Sequence, residues 1–403
     1  MRFSQRCRSE HARFETASWQ AAQNFGILTD PPLVETGRSL KLLVMCSSSA
    51  LPRFANDTRD RHLWRVLRKR VAALPSSTAD RRNAHVPALR ALAWTTVTAS
   101  LLLAAYFMVG QALASVLLLA LTGVSCLPLI LNAGHEGIHG NLSQRNWINQ
   151  LGASVFYLLG TSTRFWRLRH LASHHTFVNV TGVDLDIGQA DIIRLGASTQ
   201  PVWYHRYQHL YMPLAFMLYT LVWFFVRDFL DLGRKQFGHR VEAHPWTTSV
   251  ALVLAKAWHC FLLLGVPYVL GAGFLQTLAG FFAFHLAASA ATTFVLVSTH
   301  VGEGQEVLDG SLEVLPYGWL EHQLRTTADF ATDSWLARQV FGGFNHHVAH
   351  HLFPDLPHSA YPQVTAELRR FCREHELPYT AHRNVLQCAA SHLRRLHHFS
   401  LDF

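Results

Sequence analysis

The stretch ALAWTTVTASLLLAAYFMVGQALASVLLLALTGVSCLPLILNAGHEGIH, residues 91–139, decides the fold. From Ala91 to His135 it contains no Asp, Glu, Lys or Arg. That is room for two membrane-crossing helices of ~20 residues each, with a turn at Gly110-Gln111. Core helices of soluble domains rarely run so far without a charge. The run ends on His135-Glu136-Gly137-Ile138-His139, two histidines four residues apart. On a helix such a pair shares one face, so both rings can reach one point.

A second uncharged run lies between Lys256 and Glu303 and divides at Gly271-Ala272-Gly273. The expected spans are about 91–109, 112–132, 250–270 and 275–299, forming two helical hairpins. Lys and Arg concentrate in the N-terminal region, residues 136–249 and residues 303–403, while the hairpin tips carry no charge. The positive-inside rule puts these three regions, and both termini, on the cytoplasmic face. Leu210 to Val226 and Leu151 to Gly160 are apolar but marginal in length, and read as half-inserted helices at the interface. The expected fold is an all-α integral membrane protein of four transmembrane helices in two hairpins. A cytoplasmic helical cap would hold a two-metal site.

Composition agrees. The 403 residues are half hydrophobic and only 15% charged, against nearer a quarter in soluble domains. The net charge of +9 sits beside the apolar runs, which favours topology over nucleic-acid binding. Six cysteines (Cys7, Cys46, Cys126, Cys260, Cys372, Cys388) form no CxxC pair and read as reduced or structural. Residues 1–51 read as a leader, disordered or added by an upstream start codon. Leu40 to Cys46 only faintly suggests a lipoprotein signal. The catalytic domain is expected over 52–375, opening with polar helix at 52–90, and residues 376–403 form a C-terminal tail.

The outlier is 26 histidines, and histidine is the commonest metal ligand. Beyond the first cluster come His170-Leu171-Ala172-Ser173-His174-His175 and His347-Val348-Ala349-His350-His351, the latter preceded by His346. On α-helical geometry His170 and His174 share a face, and His175, rotated by about 100°, reaches a second point. His347 and His350 likewise share a face, with His351 offset. Each histidine alone reads as a polar or capping residue. Eight of them at ligand spacing on one membrane face read as a site for two metals, since one zinc takes four ligands. Imidazole suits iron, zinc, copper and nickel. His135-Glu136-x-x-His139 also matches the zinc-protease helix, but a protease leaves the other clusters unexplained. A metal transporter would place its ligands near the bilayer midplane.

These clusters resemble the membrane fatty acid desaturase family. Its pattern of HxxxH, HxxHH or HxxxHH, then HxxHH or QxxHH, is split by a membrane hairpin, as here. The resemblance covers about residues 52–375 and is closest to the bacterial acyl branch with linoleoyl-CoA-type and front-end enzymes. Supporting stretches are Pro52-Arg53-Phe54-Ala55-Asn56, His205-Arg206-Tyr207-Gln208-His209-Leu210-Tyr211, Gln323-Leu324-Arg325-Thr326-Thr327 and Gly342-Gly343-Phe344-Asn345. Two departures stand out. Relatives often carry Asp or Ala-Asn where this chain has Glu136-Gly137, and front-end relatives carry Gln where it has His347.

The resemblance implies a ninth ligand, His300, at the end of the fourth span, with His322 as the alternative. It implies two iron ions, Fe2+/Fe3+, with O2 as co-substrate. The implied reaction places a double bond in an acyl chain carried by CoA, acyl carrier protein or membrane lipid. A membrane hydroxylase or ketolase is the other outcome. Without a His-Pro-Gly-Gly haem motif, electrons would come from a separate ferredoxin or cytochrome b5-type protein. The expected location is a bacterial inner membrane. No catalytic side chain beyond the metal ligands is expected. Carboxylates and amides that orient the rings are sought at Asp184, Asp186, Asp228, Asp329 and Asn345. Arg164, Arg167 and Arg169 with Trp166 read as a basic patch for a phosphate, carrier or redox partner, or as plain topology. His205 and His209 read as an interfacial anchor or a site of electron entry.

Overall fold

The computed structural model describes residues 51–75, 85–187, 192–196 and 199–401, so the leader lies outside the described residues save Leu51. The described residues are mostly helical, and four helices among them are long and apolar enough to cross a membrane: Val86–Phe107, Ala112–His139, Trp246–Val269 and Phe274–Ser298. They overlap the expected spans, the first and third starting ahead of the uncharged runs. The first and second lie side by side, Ser115 Oγ donating to Ala105 O (2.9 Å) and Ser125 Oγ meeting Thr98 Oγ1 (3.0 Å). The second and fourth approach closest. A Cβ on Gly123 would stand 2.2 Å from Phe284 O, so only glycine admits that backbone. Such small-residue contacts let helices pack without a hydrophobic drive between them. The outward faces are apolar, with Leu103, Phe107, Leu117, Leu121, Leu254 and Leu275 exposed.

The marginal stretch around Leu210–Val226 belongs to a bent pair, Trp203–Phe216 and Tyr219–Gly233, that turns by 73°. Exposed Leu210, Leu214, Phe225 and Phe229 keep it apolar on its outside. Its inside is polar: Asp228 accepts from Lys256 Nζ of the third long helix at 2.9 Å. Lys256 therefore lies buried inside that helix, which the expected span of 250–270 had treated as a simple apolar crossing.

The remaining helices form a second body. Thr58–Ala72 starts at Asp57, whose carboxylate accepts from Arg59 N at 2.7 Å, a side-chain cap. It packs Leu63, Leu67 and Val71 against Leu320 and Leu324, Val348 and Leu352, and Val364, Leu368 and Phe371. Of the expected tail, residues 376–401 are built in. Thr380–His382 pairs in parallel with Ala328–Phe330, and Val385–Leu401 buries Cys388, His392, Leu396 and Phe399. The helix is amphipathic, a feature that its many Arg and His residues mask in the sequence.

Candidate metal centre

The first cluster closes the second long helix. That helix is α-helical to Leu129, then winds more widely over Ile130–His135 before Glu136–His139. Pro128 supplies no N–H, and Asn132 Nδ2 donates to Pro128 O (2.9 Å) and Val340 O (3.0 Å). Side chains inserted into the ladder in this way favour a local π turn. Gly140, at φ +79°, ends the helix. Gly137, a departure from the family pattern, has a packing cause. A Cβ there would lie 2.5 Å from Ala153 N and 2.6 Å from Asn149 O.

The second cluster also sits on a π turn, Leu168–His174, after a start capped by Ser162. His175 N bonds His170 O at 2.9 Å, five residues back. This winding overturns the α-helical assignment of faces. His170 and His175 converge, with Nε2 atoms 3.1 Å apart, while His174 turns the other way toward His300 and His351. The third cluster, His347–Leu352, shows a second reversal. His350 joins the first group and His351 the other, so the partner of His347 is the i+4 histidine and not the i+3 one.

Two groups result. In one, the ligand atoms of His135, His139, His170 and His350 lie within 4.8 Å of one another. His135 Nε2 and His170 Nε2 are 3.0 Å apart, and His175 adjoins. In the other, His174, His300 and His351 meet within the same limit, and His347 Nε2 stands 2.7 Å from His300 Nε2. His175, His350 and His351 also cluster, linking the two. All nine expected positions are thus brought together. His322 is not; it packs edge-on to Phe54, ring centroids 5.2 Å apart.

Several ring nitrogens here are buried without a hydrogen-bond partner: His135 Nδ1, His139 Nε2, His175 Nδ1, His347 Nδ1, His350 Nε2 and both of His351. Buried polar atoms are ordinarily paired. Burial, then neighbouring imidazoles, push His170, His175, His347, His350 and His351 well below the ordinary histidine range. They stay neutral, the form that binds metal. Neutral imidazoles gathered in two groups at ligand distance, with buried ring nitrogens left unpaired, fit two metal ions.

Two of the five expected orienting residues touch rings. His174 Nδ1 meets Asp184 Oδ2 at 3.0 Å and Oδ1 at 3.1 Å. His170 Nδ1 meets Asp186 Oδ2 at 2.9 Å. Burial works to raise Asp184, but His174 and the Asn179 amide outweigh it and hold it near 2. Burial lowers His174 and Asp184 more than reverses that, so its pKa is raised. Asp228, Asp329 and Asn345 bond groups other than the nine imidazoles. Asp228 serves Lys256 and Trp223, Asp329 accepts from Val348 N at 2.8 Å, and Asn345 donates to Ala331 O.

The basic patch is also redrawn. Arg169 is 1% exposed and Arg164 pairs with Glu242. Trp166 stacks on His170, centroids 4.3 Å apart. His209 bonds Ser400 and meets His397 edge-on. Not foreseen were Tyr361, whose hydroxyl is 3.3 Å from His350 Nδ1, and His358, whose Nε2 is 2.8 Å from Glu136 Oε1. Those last two atoms form no aligned hydrogen bond. Glu136 and His358 each bring a ligand atom within 4.8 Å of a His135 nitrogen, while His135 and His139 share their own group with two further histidines. Nothing in sequence spacing marks His358 or Tyr361, which arrive from a separate segment.

Apolar membrane-length helices with a histidine centre able to hold metal ions point to a membrane protein of the metal-binding class, and comparison with known proteins makes the class specific. The fatty acid desaturase family model matches residues 111–383, so the chain belongs to that family, an oxidoreductase of lipid metabolism. It is similar to the sn-1 linoleoyl-lipid 6-desaturase of Arthrospira platensis, 28% identical over 67% of this chain and 74% of the relative. The enzyme of the same name from Synechocystis sp. is 28% identical over 66% and 75%. The acyl-lipid (8-3)-desaturase of Physcomitrium patens is 29% identical over 74% of this chain and 64% of its own length.

Proposed function

We propose that the protein is an O2-dependent acyl desaturase acting on lipid-linked fatty acyl chains, with two irons held by nine histidines. His135, His139, His170, His175 and His350 hold one ion; His174, His300, His347 and His351 hold the other. The observation that carries the reading is the meeting of these nine rings in two groups. Bound iron would supply the oxygen activation needed to break an unactivated C–H bond, which no side chain can do alone. The chain's own part is orientation. Asp184 and Asp186 accept from the Nδ1 atoms, which directs the Nε2 atoms of His174 and His170 inward.

The names of the relatives favour lipid-linked substrates over CoA or carrier thioesters. Phe344 stands between the groups, 5.9 Å from the His135 ring and 4.3 Å from that of His347. It continues into Leu127, Leu131 and Val295 of the long helices. That apolar wall suits an acyl chain. In this reading the long helices form two hairpins in a bacterial inner membrane. The histidines and termini face the cytoplasm, where a ferredoxin or cytochrome b5-type protein delivers electrons.

Metal analysis tests this directly. The purified chain is expected to hold about two irons, the number of ligand groups, and His174→Ala and His350→Ala are expected to lose activity with their metal. Full activity in either variant would overturn the ligand assignment.

A further inference from the structure

Outside the histidines, the largest fully buried side chain is a cation, Arg169. It lies next to His170 in sequence, yet its contacts run away from the rings. Nη1 donates to both oxygens of Asp231, at 2.9 and 3.2 Å. Nε is 3.3 Å from Asp186 Oδ1, and Nη2 donates to Leu185 O. Its guanidinium lies 5.1 Å from the Trp223 ring centroid. The other oxygen of Asp186 accepts from His170 Nδ1. Asp231 and Trp223 both come from the second limb of the bent pair, Tyr219–Gly233.

A buried ion pair is weak as a source of stability, because desolvation offsets its attraction and apolar residues of similar volume often serve as well. What a forked guanidinium supplies is direction, since its donors have fixed geometry. Here the fork faces two carboxylates, one of which has its second oxygen on an imidazole. Asp186 is partly exposed, 19% by side chain, so without Arg169 its carboxylate would be free to turn toward water.

We propose that Arg169 and Asp231 are positioning residues for the metal centre. The bent pair, through Asp231 and Arg169, fixes Asp186, and Asp186 fixes the ring of His170. This rests on the reading that each histidine group holds one metal. It predicts an asymmetric effect, because the Nδ1 atom of His174 bonds Asp184 and not Asp186, and Asp184 is also held by the Asn179 amide, which lies outside the Arg169 contacts.

The test uses the full-length chain in detergent, loaded with iron(II) without oxygen, and follows release of each iron to a chelator. Asp231→Asn keeps the shape and removes the charge. A second variant, Arg169→Met with Asp231→Leu, replaces the pair by apolar side chains. In both, one iron per chain is expected to leave roughly 10–100-fold faster, the usual scale for losing such a partner, and the other at the wild-type rate. Unchanged release of both irons, or equal acceleration of both, overturns the proposal. Lys256→Met with Asp228→Asn cuts the limb's other anchor and leaves Arg169 in place. If it speeds the same iron equally, looser packing is the cause and the proposal fails. A wild-type chain that takes up only one metal defeats the two-group reading instead, a result separate from any comparison between variants.

Discussion

Asp184 is the residue on which one half of the centre turns. Its oxygens touch His174 Nδ1 twice and accept three backbone amides, from Asn179, Asp186 and Ile187. Those amides hold the carboxylate still, and His174 with the Asn179 amide keeps it ionised. Asp184→Asn keeps the shape but presents a neutral partner to the imidazole. Metal affinity in the group of His174, His300, His347 and His351 is expected to fall about 10–100-fold, measured by competition with a chromophoric chelator. An affinity equal to wild type would show that Asp184 does not set the ring. At this scale the identity of the ring-bearing residues was legible in the sequence, because ligand spacing survives in any helix. Their partnership was not. Faces were assigned with α-helical winding, and Leu168–His174 is wound more widely, so His175 and His174 exchange groups. Asp184 and Asp186 could be named from proximity to the second cluster. Tyr361 and His358 could not, because they reach the centre from a segment with no ligand pattern.

Among the elements, two close contacts can be tested by substitution. The helix Asn146–Ala153 crosses the first cluster at Gly137, where backbone meets Cα with no room for a methyl group. Gly137→Ala is expected to cost about 1–3 kcal/mol by overpacking, seen as a lower melting temperature of the metal-loaded protein. An unchanged melting temperature would contradict the close approach. The second contact is Asp60, which is buried and accepts from Glu321 N (2.9 Å) and Leu320 N (3.2 Å) at the start of Trp319–Thr326. Burial, the largest cause, raises its pKa above the ordinary 3.8, although those two amide bonds pull it down. The folded chain therefore binds that proton more tightly than the unfolded chain does. The resulting stability is present at acid pH and is lost as pH rises through the raised value. Asp60→Asn, which keeps an acceptor, should gain relative to wild type as pH rises from about 4 toward neutral. A stability difference that does not change with pH would contradict the shift. The long helices were legible because a charge-free run admits little else. The amphipathic Val385–Leu401 was not, since its buried stripe includes His392 and Ser391 and is diluted by arginines.

For the molecule as a whole, the arrangement joins an apolar bundle to a polar helical body, with nine histidines at the junction. The bent pair links both, through Lys256–Asp228 on the bundle side and Arg169–Asp231 on the histidine side. In the proposed reading, oxygen activation belongs to the histidines, and the choice of an acyl chain belongs to the apolar wall beside them. The membership of the chain in the desaturase family joins the two. The most direct test of their union is the acyl-chain profile of membrane lipids from aerated cells expressing the full-length chain. The lipids are isolated intact and analysed by mass spectrometry with double-bond localisation. The account predicts a new double bond in lipid-linked acyl chains, absent without oxygen and absent in His174→Ala and His350→Ala. Unchanged lipids, or a hydroxylated or keto product in place of the double bond, would contradict it.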